Sequence, residues 1–374
     1  MLVLAATLAI LAYGLMSPVL GVLLPGYALT AEQQGSLAMA QALGLVLASL
    51  CAGPFVDAKG NKAALISGLT LIVISLAGAP KAPGYSGLLV VYFLLGIAGG
   101  TVVTGANSLV AAVESNRRGP ALNFLNLFFG LGGIITTYVG SMHTDSATLC
   151  YSIAAVATLA LLLNVATRMP FPSGAASFRL NEASVLLTNP VLLLLSLFLF
   201  LYVACEVGVW NWFKIYLMRL HFDEAAAGRV VSYGFASGIL VGRVVVSRLL
   251  IRIPAFVVTL VAPALMTVTT YFMLSLRSNV AITIAVFCAG LSMAPVFPTV
   301  LAIVADAFSR GTATAMGIVL TSGWLGLAVS SPAIGALAKG NNYHRALLLV
   351  PSFSALMVLV NVVLRSIIRR QTAV

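Results

Sequence analysis

The chain has 374 residues, of which 61% are hydrophobic and only 8% charged, with a mean hydropathy of +1.09. A water-soluble domain carries roughly 25% charged residues, so this composition excludes one and points to a polytopic membrane protein. The formal charge of +11 comes from bases scattered at the ends of apolar runs rather than from a stripe, which excludes a nucleic-acid-binding surface.

The apolar runs are about 20 residues long and do not alternate with polar residues, so they read as helices that satisfy their own backbone in lipid. Hydropathy and turn signals predict twelve: residues 2–25, 33–56, 62–79, 86–112, 119–141 and 146–167, then 191–213, 225–247, 254–275, 279–304, 311–337 and 345–367. The chain starts inside the first run, with no basic segment or cleavage site, and that run reads as a span rather than a signal peptide. It carries one polar aromatic, Tyr13, and the second span carries Gln41; both are candidate solute contacts.

The second span leads into a polar turn, Gly53-Pro-Phe-Val-Asp57-Ala-Lys-Gly60-Asn-Lys62. Gly53 permits close helix approach and Gly60 a turn with positive φ. Asp57 either caps a helix N-terminus across the turn or pairs with a base, for which Arg117 or Arg118 is the expected partner. Lys59 and Lys62 mark the cytoplasmic side.

In the fourth span Thr104 and Asn107 form a polar face, and in the fifth Asn123 and Asn126 lie three apart; such amides donate and accept together, as hydroxylated solutes require, or else bond between helices. Glu114-x-x-x-Arg118-Gly119 after the fourth span recurs as Asp306-x-x-x-Arg310-Gly311 after the tenth, each position offset by 192. Acid and base at i, i+4 are expected to pair on one helix face. Gly130-Leu-Gly-Gly133 likewise meets Gly323-Trp-Leu-Gly326. The repeat predicts two pseudo-symmetric six-helix bundles, residues 1–167 and 191–374, joined by a cytoplasmic Pro/Ser-rich linker over 168–190. With both termini in the cytoplasm, twelve bases fall inside, from Lys59 and Lys62 through Arg179 to Arg369 and Arg370, and six outside, Lys339 among them.

The seventh span reads Tyr202-Val-Ala-Cys-Glu206-Val-Gly-Val-Trp210. Glu206 is the acid placed well inside a membrane segment, which makes it a functional candidate and a candidate proton carrier. Tyr202, Glu206 and Trp210 stand at i, i+4 and i+8 and share one face, a set suited to a polyhydroxylated ligand. Arg243, after Gly242 in the eighth span, reads as a gate or structural partner for Asp306. Pro295 and Pro298 interrupt the tenth span, and Trp324 in the eleventh is a candidate stacking surface. The four cysteines have no CxxC spacing and there are three His, so metal and redox chemistry have no support; no His pair or Cys/His dyad suggests an enzyme, and no catalytic residue is expected.

The turn has the form G-x-x-x-D-x-x-G-x-K, which resembles the loop after the second helix of major facilitator transporters. Four further segments resemble one branch, the fucose–galactose–glucose:proton symporters (the fucose permease family). They are Glu206-Val-Gly-Val-Trp210 with Tyr216-Leu, Gly242-Arg243, Gly290-Leu-Ser-Met-Ala-Pro295-Val-Phe-Pro298-Thr299, and Asn123-Phe-Leu-Asn126-Leu-Phe-Phe-Gly130-Leu-Gly132. The resemblance implies the twelve-helix major facilitator fold, a hexose or deoxyhexose substrate and proton symport. Proton-coupled members usually carry an acid in the first or fourth helix; here the first span has none and the fourth has Asn107, so coupling rests on Glu206 or is absent. The alternatives are an uncoupled sugar facilitator and an exporter of amphipathic or lipid-like compounds. The partners implied are a small-molecule substrate and the bilayer, in a monomer of the plasma or inner membrane with no cofactor beyond the proton gradient.

Overall fold

In a bilayer core no water is available to the backbone, so each crossing segment has to close its own hydrogen bonds as a helix. A computed structural model describes residues 1–27, 29–142, 145–169, 185–338 and 342–372, with the side chains of 25, 31, 141 and 369–372 not described. Among the described residues it is helical, without a strand. Twelve helices are long and apolar enough to span: α1 (Leu2–Leu23), α2 (Glu32–Lys59), α3 (Asn61–Lys81), α4 (Gly84–Val113), α5 (Arg118–Gly140), α6 (Ser146–Ala166), α7 (Pro190–Arg219), α8 (Glu224–Leu249), α9 (Ala255–Ser275), α10 (Asn279–Ala307), α11 (Thr312–Leu337) and α12 (Tyr343–Ile368). Each predicted span meets one of them; the largest discrepancy is at α7, which runs to Arg219 rather than 213. Most of the predicted linker (170–184, with Arg179 and Glu182) lies outside the described residues, as do Lys339 and the side chains of Arg369 and Arg370.

The helix ends follow local chemistry. Thr30 and Gln33 form a capping box, and Asn189 accepts from the Val191 and Leu192 N–H groups ahead of α7, with Pro190 in its first turn. Lys62 Nζ donates to the Val165 and Thr167 carbonyls at 2.7 and 3.0 Å, placing a cation on the last turn of α6. Gly60 has φ +88°, as the turn motif predicts, and Gly311 has φ +72°.

The chain divides into two compact units. Unit 1 comprises Met1–Ala121, Leu125–Leu187 and Ala305–Thr321; unit 2 comprises Leu122–Phe124, Thr188–Val304 and Ser322–Val374. Within unit 1, Gly44 lies against the Phe93 carbonyl and Gly96 against the Gln41 carbonyl, where α2 crosses α4. Within unit 2, Gly238 meets the Phe287 carbonyl and Gly290 the Phe235 carbonyl, where α8 crosses α10. Both glycine pairs are related by the same offset of 194 (238 − 44 and 290 − 96), so the sequence repeat is also a repeat of backbone contacts. A side chain at Gly290 would overlap that carbonyl. Gly290→Leu is expected to cost about 1–3 kcal/mol, read as a lowered thermal midpoint in detergent. Gly21→Leu, where a Cβ meets nothing within 4 Å, should leave the midpoint unchanged.

Two irregularities bear on the site. α10 breaks at Ala294-Pro295 and resumes at Val296, because Pro295 has no N–H to continue the ladder. The expected second interruption at Pro298 is absent: this proline sits in the first turn of the resumed helix, where no donor is needed. α8 holds a π-turn at Val230–Phe235, which shifts the register of the residues around it.

Candidate functional site

The apolar α7 presents Tyr202, Glu206 and Trp210 on one face, as the i, i+4, i+8 spacing requires. Tyr202 is 0% exposed, Glu206 half-buried and Trp210 37% exposed. The Trp210 ring meets Phe235 of α8 edge to face, centroids 5.1 Å apart, and the π-turn ends on Phe235. The polar edges of Tyr202 and Trp210 turn toward the Glu206 carboxyl. Eight residues beyond Phe235, Arg243 is 5% exposed and acts electrostatically on both Glu206 and Tyr202. Its backbone is pressed against α10, because a Cβ on the preceding Gly242 would meet Ala294 Cβ and the Leu291 carbonyl. The Tyr202 hydroxyl, although close to Glu206, has no partner at hydrogen-bond geometry. One region of unit 2 therefore gathers a carboxyl, a guanidinium, a phenol and an indole.

Asp306 Oδ1 pairs with Arg118 Nη1 at 2.5 Å, inside unit 1, while Arg118 Nε donates to the Ala111 carbonyl at 2.9 Å. The expected pairing of Asp57 with Arg117 or Arg118 is not formed. Asp57 takes the other role, capping α11: it accepts from the Thr314 N–H at 2.7 Å, the Thr314 hydroxyl at 2.6 Å and the Ala313 N–H at 3.3 Å. The cause is electrostatic, since a helix start presents unsatisfied donors and a positive dipole end that draw a carboxylate. Gly53 allows this approach, its missing Cβ facing the Ala313 carbonyl and Thr314 Cα. The i, i+4 pairing of Glu114 with Arg118 on one helix fails because α4 ends at Val113 and α5 begins at Arg118; likewise Asp306 and Arg310 share no continuous helix, α10 ending at Ala307. Arg117 and Arg310 are exposed.

The asparagines are buried. Asn126 Nδ2 donates to Asn107 Oδ1 at 2.8 Å and Asn107 Nδ2 to the Val103 carbonyl at 2.8 Å, in unit 1; Asn123 Nδ2 donates to Thr299 Oγ1 at 3.3 Å, in unit 2. The Asn126–Asn107 and Asn123–Thr299 bonds each join two helices. Tyr13 is buried against Phe129 (centroids 5.0 Å) and Gly99. Gln41 is half-buried on α2, and half-buried Trp324 faces Phe297 at 6.3 Å. Two features have no counterpart in the sequence reading. Asn211 and Trp212 both donate to Ser331 Oγ at 3.1 Å, just beyond Trp210. A cavity of about 350 Å³ in unit 1 is lined by Tyr27, Leu88, Asp145 and Cys150. The first was signalled by the polar Asn211 inside an aromatic run; the second joins four separate loops and helix ends and has no local signal.

A sequence profile of the Major Facilitator Superfamily matches residues 2–331. The chain is 23% identical over 299 residues to an uncharacterized MFS-type transporter, YfkL, of Bacillus subtilis (strain 168), covering 77% of this chain and 75% of the relative. It is 25% identical over 334 residues to the membrane protein MosC of Rhizobium meliloti, covering 87% and 79%. Among solved structures it matches the transporter FucP in the outward conformation with a TM-score of 0.86, at 18% identity and 97% and 98% coverage. It matches the proton:xylose symporter XylE bound to 6-bromo-6-deoxy-D-glucose with a TM-score of 0.79, at 13% identity and 96% and 94% coverage. At these identities the two structures establish the fold.

Proposed function

From the premise that this chain belongs to the Major Facilitator Superfamily, as a multi-pass membrane transporter, we propose that it is a secondary active carrier of a sugar, a hexose or deoxyhexose, driven by a proton gradient through alternating access. The observation that carries this reading is the α7 face on which Glu206 stands between Tyr202 and Trp210. A carboxyl accepts hydroxyl hydrogen bonds and an exposed indole covers the C–H face of a ring. An ionisable group at that depth is costly and kept for function. The solved folds it resembles include an E. coli fucose:proton symporter and a proton:xylose symporter. With Asn107 in α4 engaged by Asn126, Glu206 is the group to which proton coupling is assigned. Asp57 on the start of α11 and Arg118 on Asp306 are the contacts that form and break as the carrier cycles. The twelve-to-six distribution of bases supports cytoplasmic termini in a plasma or inner membrane, and the carrier acts as a monomer.

Uptake of a labelled hexose panel into proteoliposomes, with and without an inward proton gradient, tests the reading. Gradient-stimulated uptake of a sugar is the expected result. Uptake indifferent to the gradient would make the protein a facilitator. No uptake of any sugar would sink the sugar reading and turn attention to amphipathic solutes.

A further inference from the structure

At one end of unit 2, the end of α7, the end of α9 and the start of α12 meet on a single hydroxyl. Tyr216 of α7 donates to the Leu274 carbonyl of α9 at 2.7 Å. That uses its one proton, so at the 3.3 Å contact with His344 of α12 the Tyr216 oxygen accepts from Nδ1–H. Arg219, three residues beyond Tyr216, holds its guanidinium 5.9 Å from the centre of the Tyr343 ring, and Tyr343 lies 6.3 Å from Trp212. Arg277, three residues beyond Leu274, acts electrostatically on Tyr216. Arg345 follows His344 on the first turn of α12. Arg219, Arg277, His344 and Arg345 are all exposed.

Three guanidiniums thus collect on the side of the membrane assigned six bases against twelve, where the positive-inside bias disfavours them. Unit 2 has two acids at this end, and both are engaged elsewhere. Asp223 caps α8 by accepting from the Ala226 N–H at 2.9 Å, and Glu224 pairs with Lys214 at 2.8 Å. Among the described residues no ion pair reaches Arg219, Arg277 or Arg345. Trp212, Tyr343 and the exposed ring pair Tyr271–Phe272 set the level of this cluster, because such rings settle at the headgroup boundary of a bilayer. The anion a membrane supplies at that level is a lipid phosphate, which a guanidinium matches with two parallel hydrogen bonds. Below it α9 exposes Val261, Leu265, Val268 and Phe272, at i, i+4, i+7 and i+11. At 1.5 Å per residue that apolar stripe is about 17 Å long, which is about half the ~30 Å hydrocarbon core and so the depth of one leaflet.

We propose that this end of unit 2 is a seat for an anionic phospholipid, its phosphate held between Arg219 and Arg277 with His344 and Arg345 beside it, and its acyl chains lying along the exposed stripe of α9. The lipid supplies the negative charge that the chain itself does not place there. It also fastens the end of α7, the helix that carries the Glu206 face, to the leaflet. A zwitterionic headgroup carries the same phosphate with its charge already offset by an amine, so the seat discriminates by net charge. The inference stands apart from the carrier reading and holds whatever the solute.

The test is native mass spectrometry of the purified full chain released from mixed micelles of dioleoylphosphatidylglycerol and dioleoylphosphatidylcholine, counting the lipids retained per chain. Each arginine beside an anionic headgroup is expected to contribute about fivefold in affinity. Arg219→Gln/Arg277→Gln should therefore weaken this seat about 25-fold and lose about one retained phosphatidylglycerol, with phosphatidylcholine retention unchanged. Lys214→Gln removes a base at the same end that already has its acid, and should retain as much phosphatidylglycerol as the wild type. Should the double variant fail to fold, Arg277→Gln carries the test with about a fivefold loss. A folded double variant that keeps all its phosphatidylglycerol overturns the inference. Equal loss of both lipids overturns it too, since the seat would then not read charge. A loss in Lys214→Gln as large as in the double variant overturns the role of the unneutralised arginines. Inorganic phosphate that displaces the retained lipid at equal concentration would make the ligand a free anion and overturn the lipid assignment.

Discussion

Glu206→Gln is expected to abolish gradient-driven accumulation of the solute while leaving equilibrative exchange across the membrane. A carrier coupled one proton to one solute concentrates that solute about tenfold per pH unit of gradient, because one unit is worth about 1.36 kcal/mol. The glutamine is isosteric and keeps the hydrogen-bonding edge toward Tyr202 and Trp210, but it cannot take up and release a proton. The accumulation ratio should therefore fall to about one at any imposed gradient. Equal tracer exchange in wild type and mutant separates lost coupling from lost protein. A mutant that still accumulates solute against its gradient would remove Glu206 from proton coupling, and a proton-gradient-independent wild type would remove coupling from the protein.

How much of this was legible in the sequence depends on how far apart the interacting residues stand. The twelve spans were legible because 20-residue apolar runs and their punctuating Gly, Pro and charges are local signals. The positive φ of Gly60 and the close approach at Gly53 were legible because each is a property of one residue's missing Cβ. The partner of Asp306 was not. Sequence proximity and the repeat favoured Arg310 or Arg243, whereas the structure brings up Arg118, 188 residues away. Asp57 shows the intermediate case: its two available roles were readable, but the choice of a helix start 257 residues on, at Thr314, needed the fold. Asn126 and Asn107, 19 residues apart, could equally have faced a solute or each other, because an amide side chain carries the same chemistry in both settings. The Trp210–Phe235 contact was hidden for another reason. It depends on a π-turn, and a one-residue register shift has no hydrophobic signature.

Asp57→Ala should slow transport about tenfold or more while leaving the apparent affinity for the solute close to that of the wild type. The Asp57 carboxylate serves the Ala313 and Thr314 N–H groups and the Thr314 hydroxyl. Losing a capping carboxylate costs about 1–2 kcal/mol, more where charge-assisted bonds are half-buried as here, and about 1.4 kcal/mol already shifts a two-state equilibrium tenfold. That shift falls on a conformational step rather than on binding, so it appears in the maximal rate. Asp57→Asn keeps one acceptor oxygen but not the charge that complements the helix dipole, and should fall between wild type and alanine. Thr314→Val removes one of the three donors and leaves the backbone N–H groups capped, so its effect should be the smallest. A graded series in that order assigns the rate to the cap on α11. Equal rates for all three variants would show that breaking this contact does not limit the cycle. A loss of affinity without a loss of rate would mean that the start of α11 communicates with the solute site directly.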